Sequence, residues 1–100
     1  MSEFPGGGEG FLDALVVQAE SARRRLVGLL ERPVTTLRPS EVSSAMTELH
    51  HALRTLRCES ARAMVDDEGL STAEVGRRLK VSRQVCGRLV AEGRQRRAAS

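Results

Sequence analysis

Six long side chains that end in a cation or an amide lie close together between residues 77 and 88. They are Arg77, Arg78, Lys80, Arg83, Gln84 and Arg88. Arginine presents a planar fork of donors that matches phosphate and other planar acceptors, whereas lysine acts as a compact positive charge. The glutamine amide offers both a donor and an acceptor. Residues of these types at this spacing are typical of a surface that binds a polyanion.

Charge is distributed unevenly along the 100 residues of the chain. Residues 1–50 have a net charge of −2, whereas residues 51–100 have a net charge of +5. The last thirty residues, 71–100, contain eight basic and two acidic residues. A basic block at one end of a chain is expected of a nucleic-acid contact surface. A solvated surface is the alternative, because fifteen of the sixteen basic residues are arginine. A general preference for arginine does not explain why acidic residues are scarce in the same segment.

The residues from 71 to 90 predict two short helices joined by a tight turn. Ser71 and Glu74 match the S-x-x-E capping box, in which the serine oxygen accepts from the N–H three residues on and the glutamate bonds back to the serine N–H. Ser82 can cap the second helix in the same way. Helical periodicity directs one set of residues inward. That set is Val75, Gly76, Leu79, Val81, Val85, Cys86 and Leu89.

This stretch resembles the helix–turn–helix of bacterial DNA-binding proteins. The run Val81-Ser82-Arg83-Gln84-Val85 is similar to the V-S-R-Q opening that is common in bacterial recognition helices. The sequence departs from the family at Gly76, where alanine is preferred, and at Lys80, where glycine is preferred. Lys80 would have to adopt a left-handed conformation, which is uncommon for a residue with a Cβ. The resemblance implies that the second helix lies in the major groove and that the first helix crosses the DNA backbone.

The resemblance also implies a role for each exposed polar residue. The residues expected to read bases are Ser82, Arg83, Gln84, Gly87 and Arg88. Arginine can bond a guanine edge through two hydrogen bonds, and glutamine can do the same to adenine. Contacts to phosphates position a protein on DNA without reading the sequence. The residues expected to make these contacts are Ser71, Thr72, Arg77, Arg78, Lys80, Arg94, Arg96 and Arg97. RNA and single-stranded nucleic acid are less favoured partners, because the basic region has no aromatic residue on which bases could stack.

Two long helices with heptad patterns are predicted before this stretch, one over residues 11–32 and one over residues 40–68. Pro33 should end the first helix, Pro39 suits the first turn of the second, and Gly69 should end it. The second helix either breaks near residues 58–60 or continues as a spine, and we favour the spine. The apolar residues at heptad spacing form one seam on each helix, and we expect these seams to form a dimer interface. The first seam consists of Leu12, Leu15, Ala19, Ala22, Leu26 and Leu29, and the second of Val42, Met46, Leu49, Leu53 and Leu56.

The domain organisation predicted from these patterns has four parts. Residues 1–10 form a flexible leader, 11–68 a helical dimerisation scaffold, 69–92 the helix–turn–helix, and 93–100 a basic tail. Too few residues follow the second short helix to form the wing of a winged-helix protein. The order of elements is similar in layout to the Fis-type nucleoid proteins, without a sequence match in the N-terminal helices. The acidic run Asp66–Glu68 could repel phosphate or pair with Arg77 or Arg78.

No cofactor, metal site or enzymatic activity is predicted. The chain shows no Ser/His/Asp set, no phosphate-binding glycine loop and no metal-ligand spacing. The adjacent His50 and His51 would face about 100° apart on a helix and would not share a metal. Cys58 and Cys86 do not make a disulfide framework, and a buried thiol is expected at Cys86. The richest apolar run, residues 12–17, is too short to span a membrane, so we expect a cytoplasmic protein. The expected DNA binding would associate it with the nucleoid.

These patterns together predict an all-α protein with two N-terminal dimerisation helices and a C-terminal helix–turn–helix. The expected function is that of a homodimer that binds double-stranded DNA sequence-specifically as a bacterial transcriptional regulator, with residues 82–91 as the recognition helix. One alternative is a helical interaction module that docks on another regulatory protein or a sigma factor. The other is a nucleoid-associated protein of low sequence specificity.

Overall fold

The computed structural model describes residues 9–99, which are built from helices joined by short connections. The elements are α1 (Glu9–Leu30), a 3-10 turn (Val34–Thr36), α2 (Pro39–Asp66), α3 (Thr72–Leu79) and α4 (Arg83–Ala99). Within residues 9–99 there is no β-strand, and the prediction of an all-α chain is confirmed. The predicted leader lies outside the described residues, apart from Glu9 and Gly10, which begin α1. None of the described helices combines the length and the apolar character that crossing a membrane requires.

Helices α1 and α2 form an antiparallel hairpin. Two exposed ion pairs link the helices in this register, since Arg25 contacts Glu48 at 2.7 Å and Arg32 contacts Glu41 at 3.5 Å. Pro39 occupies the first turn of α2, as the sequence predicts. Helix α2 is continuous over 28 residues, so the alternative of a break near residues 58–60 is wrong. A helix of this length is about 42 Å long, and it contacts each of the other helices.

The contact between α1 and α2 depends on small side chains. Ala22 of α1 and Ala45 and Ala52 of α2 are buried, together with Leu15. Alanine allows two helix backbones to approach closely, so these residues form a packed seam within one chain. Leu15 and Ala22 were expected to face a second chain, and here they are covered by α2 instead.

The rest of the predicted dimer seam divides between covered and exposed positions. The partly covered residues are Ala19, Leu26, Leu29, Val42, Leu49 and Leu56. Leu12, Met46 and Leu53 remain 41%, 55% and 50% exposed. A single heptad seam therefore does not describe either helix, because each has one stripe that packs in the chain and a second apolar stripe beside it.

A separate core joins α2, α3 and α4 at the C-terminal half of α2. Its buried residues are Cys58, Ala61, Val75, Cys86, Leu89 and Val90. Helix α4 crosses α2 most closely at Gly93, where an added Cβ would overlap the carbonyl group of Cys58 and lie 2.9 Å from the Cβ of Arg62. Only glycine allows this approach, so Gly93 sets the distance between the two helices.

Charged residues surround this crossing and include a buried ion pair. Arg62 and Glu59 are both buried, with nitrogen–oxygen distances of 2.8 Å. Glu59 also accepts from Arg97 of α4 at 3.0 Å, and Arg62 contacts Asp67 at 3.0 Å. The hydrogen bonds that Arg62 donates to the Glu59 carboxylate raise the pKa of Arg62. This ion cluster ties the last turns of α4 to the end of α2.

Gly93 and Gly28 offer a matched test of this crossing. Gly93→Ala should lower the free energy of unfolding by about 1–3 kcal/mol, because a methyl group has no room between α2 and α4. Gly28 also lies within a helix, but an added Cβ would meet nothing within 4 Å. Gly28→Ala should therefore raise stability by up to about 1 kcal/mol. Urea unfolding of both variants checks the prediction, which fails if Gly93→Ala is as stable as the unsubstituted chain.

Candidate nucleic-acid interface

Helix α3 begins at a serine cap, as its sequence predicts. The Ser71 hydroxyl accepts a hydrogen bond from the Glu74 N–H at 3.1 Å. Among the described residues, the Glu74 carboxylate accepts from Arg77 and from Arg78 rather than completing the capping box. Half of the predicted box is therefore confirmed. The glutamate instead pairs with two of the arginines that are expected to contact phosphate and offsets part of their charge.

The turn after α3 depends on the backbone conformation of Lys80. Lys80 has φ 60° and ψ 43°, which is the left-handed conformation that the sequence requires here. The Val81 N–H donates to the Gly76 carbonyl at 2.9 Å and closes the turn. A Cβ at Gly76 would lie 3.1 Å from the Val81 carbonyl oxygen. An alanine at position 76 would crowd the Val81 carbonyl oxygen, so glycine suits this tight turn.

Arg57 of α2 supports the same turn from below. Its guanidinium donates to the carbonyl of Leu79 at 2.8 Å. Since the last carbonyls of a helix have no partner within the helix, this bond satisfies one of them and links the turn to α2. The sequence gives no local signal of this role, because the two residues are 22 positions apart.

Helix α4 begins directly after the turn, with Ser82 as its cap. The Ser82 hydroxyl accepts from the Val85 N–H at 3.1 Å, which confirms the predicted cap. Cys86 and Leu89 are buried against α2 and α3, as predicted. Val85 was expected to point inward, but it is 37% exposed. It lies on the flank of α4 and lines a cavity of about 280 Å³ that also contacts Leu53 and Val81.

The solvent-exposed side of the first turns of α4 carries the residues expected to read bases. Ser82, Arg83, Gln84, Gly87 and Arg88 are all exposed. An added Cβ at Gly87 would meet nothing within 4 Å, so this part of the helix presents bare backbone to solvent. Neither Arg83 nor Arg88 makes an ion pair or side-chain hydrogen bond with another residue between 9 and 99. Both guanidinium groups are therefore available to an external acceptor.

Most of the residues expected to contact phosphate are already engaged within the chain. Arg94 pairs with Asp66 at 2.7 Å, and Arg96 pairs with Glu92 at 2.7 Å. Arg97 pairs with Glu59 and lies 5.8 Å from the centre of the Phe11 ring. These three arginines belong to α4, which continues to Ala99, so residues 93–99 are helical.

The other expected phosphate contacts lie around α3. The Ser71 hydroxyl is occupied by its cap, Thr72 is half-buried, and Lys80 is exposed. Arg77 and Arg78 lie on either side of the Glu74 carboxylate. Asp66 and Asp67 pair with Arg94 and Arg62, and not with Arg77 or Arg78 as one of our alternatives proposed.

Hydrogen bonds from arginine favour the ionised form of three carboxylates, those of Glu74, Glu92 and Asp66. Hydrogen bonds from Arg77 and then Arg78 lower the pKa of Glu74. Those from Arg96 and Arg54 lower the pKa of Glu92, and a bond from Arg94 lowers that of Asp66. Each carboxylate therefore cancels part of a neighbouring positive charge at neutral pH. The cations left without such a partner in the described part of α3 and α4 are Lys80, Arg83 and Arg88.

The two cysteines, Cys58 and Cys86, are both buried. Burial raises the pKa of the Cys58 and Cys86 thiols, so neither is a ready nucleophile. No group of three or more His, Cys, Asp or Glu residues in the range 9–99 is placed to hold a metal ion.

Comparison with known proteins found no matching family model, no matching curated protein and no matching solved structure.

Replacing Lys80 separates the conformation of the turn from its charge. Lys80→Gly should raise the free energy of unfolding by roughly 1 kcal/mol, because glycine adopts the left-handed conformation without the steric cost of a Cβ. Lys80→Val should lower it, since a branched side chain is strained at this φ. Thermal unfolding of the two variants checks the prediction. A Lys80→Val variant as stable as Lys80→Gly would contradict the left-handed turn.

Proposed function

We propose that this chain is a homodimeric, sequence-specific double-stranded DNA-binding protein that acts as a bacterial transcriptional regulator. In this proposal α3, the Lys80 turn and α4 act as a helix–turn–helix, and the first turns of α4 enter the major groove. The observation that carries the proposal is the contrast between paired and unpaired cations. Arg83 and Arg88 have no partner among residues 9–99, although carboxylates engage the arginines around them.

The shape of the exposed face supports a groove rather than a flat partner. Gln84 and Arg88 lie one helical turn apart and are both exposed, so their side chains share one solvent-facing side of α4. Gly87 lies beside them and leaves the backbone uncovered. A helix with this surface can approach base edges closely, where arginine recognises guanine and glutamine recognises adenine through paired hydrogen bonds.

The packing of α4 supports readout by a rigid element. Buried Cys86, Leu89 and Val90 fix one side of the helix, and the Gly93 crossing fixes its distance from α2. Side chains that project from a rigid helix lose less entropy on binding than those of a flexible tail. Arg83, Gln84 and Arg88 are thus displayed from a fixed position.

Alanine substitution of the unpaired arginines tests the proposal. Arg83→Ala and Arg88→Ala should each weaken binding to a selected duplex by about 1–3 kcal/mol, because each removes a donor to a base edge. Arg38→Ala is the matched control, since Arg38 is also exposed, has no partner in the described chain and lies at the far end of α2. Fluorescence anisotropy with labelled duplexes measures all three. Equal losses for Arg38→Ala and Arg88→Ala, or none for either α4 variant, would contradict the proposal.

A gain of affinity is expected when the partner of Arg77 and Arg78 is removed. Glu74→Gln preserves the size of the side chain but removes the charge that holds both arginines. If they then reach phosphates, the plot of log affinity against log salt concentration should become steeper by up to about one per phosphate contacted. Titrations of random-sequence duplex at several salt concentrations provide the measurement. An unchanged slope would place Arg77 and Arg78 outside the interface.

A protein-interaction role is the second candidate, and the exposed apolar residues of the scaffold favour it. Val34, Met46 and Leu53 are at least half exposed. If a larger regulator or a sigma factor docks here and the basic end is incidental, Arg83→Ala together with Arg88→Ala should leave biological activity intact. Loss of activity in that double variant favours the DNA-binding proposal.

A further inference from the structure

The hairpin of α1 and α2 has an exposed apolar surface that no residue of the described chain covers. We call it the outer face, and its α1 residues are Leu12, Val16, Val27 and Leu30. The connection contributes Val34, and α2 contributes Met46 and Leu53. Each of these seven side chains is at least 40% exposed. Single exposed apolar residues are ordinary on soluble proteins, whereas a contiguous set marks an interaction surface.

Helical geometry places these residues on one side of the hairpin. Successive residues of a helix are rotated by about 100°. Leu15 and Ala22 belong to the stripe of α1 that packs on α2. Val16 and Val27 are rotated from this stripe about the helix axis by a quarter turn or slightly more. Met46 and Leu53 have the same relation to Ala45 and Ala52 in α2. Because the two helices are antiparallel, equal rotations in the same sense bring both stripes to the same side.

A groove runs along this side of α2. Its larger part has a volume of about 890 Å³ and is lined by Val34, Leu37, Val42 and Met46 among others. It meets the cavity of about 280 Å³ beside Leu53, since His50 and Arg54 line both. Apolar side chains thus line both cavities on this side of α2, with His50 and Arg54 where the two cavities adjoin.

We infer that the outer face binds the outer face of a second copy of this chain, so that two hairpins form a four-helix bundle. The inference rests on the proposed function, because reading two half-sites requires two copies of α4. It keeps Leu12, Met46 and Leu53 of the predicted heptad seam and leaves out Leu15 and Ala22, which are buried within one chain.

The charges beside the outer face favour a copy of the same chain as its occupant. Arg54 pairs with Glu92 at 2.9 Å, and Arg23, which lies on the same side of α1 as Val16 and Val27, pairs with Glu20 at 2.6 Å. A partner therefore need not supply opposite charges to these two arginines. A largely apolar surface whose charges are paired within the chain can contact a copy of itself, which is what a twofold dimer contact requires.

The area of the hairpin is sufficient for a stable contact. Two adjacent helices about 10 Å wide and about 30 Å long present about 600 Å² on one side. Two such faces bury about 1,200 Å² in total, which is the lower end of the range for specific, stable interfaces. The surface therefore meets the size requirement without contributions from α3 or α4.

Charge substitution on each helix, with a control on the opposite side of α1, tests the inference. Val27→Glu and Met46→Glu should each raise the dissociation constant of the dimer by about 100-fold or more, because each buries an unpaired carboxylate. Val17→Glu is the control, since Val17 is 66% exposed but lies roughly on the far side of α1 from the packed stripe. This variant should dimerise as the unsubstituted chain does. Sedimentation equilibrium over a concentration series gives the constants, and far-ultraviolet circular dichroism shows which variants keep the helical fold.

Three results would overturn the inference. The first is an unsubstituted chain that stays monomeric at every concentration. The second is a folded Val27→Glu or Met46→Glu variant that dimerises normally. The third is equal disruption by Val17→Glu. The two substitutions lie on different helices, so a folding failure in one leaves the other as the test.

DNA binding is measured separately, so that failure of the inference and failure of the proposed function can be distinguished. A dimer that binds no duplex DNA would refute the proposed function and leave the outer face as a dimer contact. A monomer that binds duplex DNA through Arg83 and Arg88 would leave the proposed function of α4 intact and refute the dimer contact.

Discussion

The close crossing of α4 over α2 is the constraint on which the C-terminal half of the molecule depends. At Gly93 the two helices are too close for any side chain, and the Glu59–Arg62 pair with Arg97 surrounds the contact. A buried ion pair of this kind tolerates the loss of neither partner, because the remaining charge would be buried without compensation. The crossing therefore fixes α4 on the end of α2, and α3 packs into the angle between them.

This arrangement also divides the arginines of α4 into those paired with a carboxylate and those without such a partner in the described chain. The far end of α4 uses its arginines to hold the fold, because Arg94, Arg96 and Arg97 each have a carboxylate partner. The first turns of the same helix keep Arg83 and Arg88 without one in the described chain. A net charge calculated from sequence cannot separate these groups, although they have different consequences for binding. The surface proposed to contact DNA is thus smaller and more localised than the basic segment.

The sequence predicted most local features, because they depend on neighbouring residues. Ser71 and Ser82 cap their helices, Pro39 begins α2, and Lys80 adopts the left-handed turn, all through contacts within a few positions. Features that depend on distant residues were missed, among them the support of the turn by Arg57 and the crossing at Gly93. The apolar pattern of α1 and of α2 predicts one seam in each helix, since periodicity alone does not separate a stripe that packs within the chain from one beside it. The exposure of Val85 has the same origin, because the position of α2 decides which flank of α4 is covered.

Selection of bound sequences from a random pool of duplex DNA is the most direct test of the central claim, that the exposed start of α4 reads base sequence. The purified chain is incubated with the pool, and the bound duplexes are sequenced over successive rounds. If α4 reads bases as proposed, a defined motif should be enriched, and it should be lost when Arg83 and Arg88 are both replaced by alanine. A pool that stays unenriched, or that yields the same motif with the double variant, would contradict the claim.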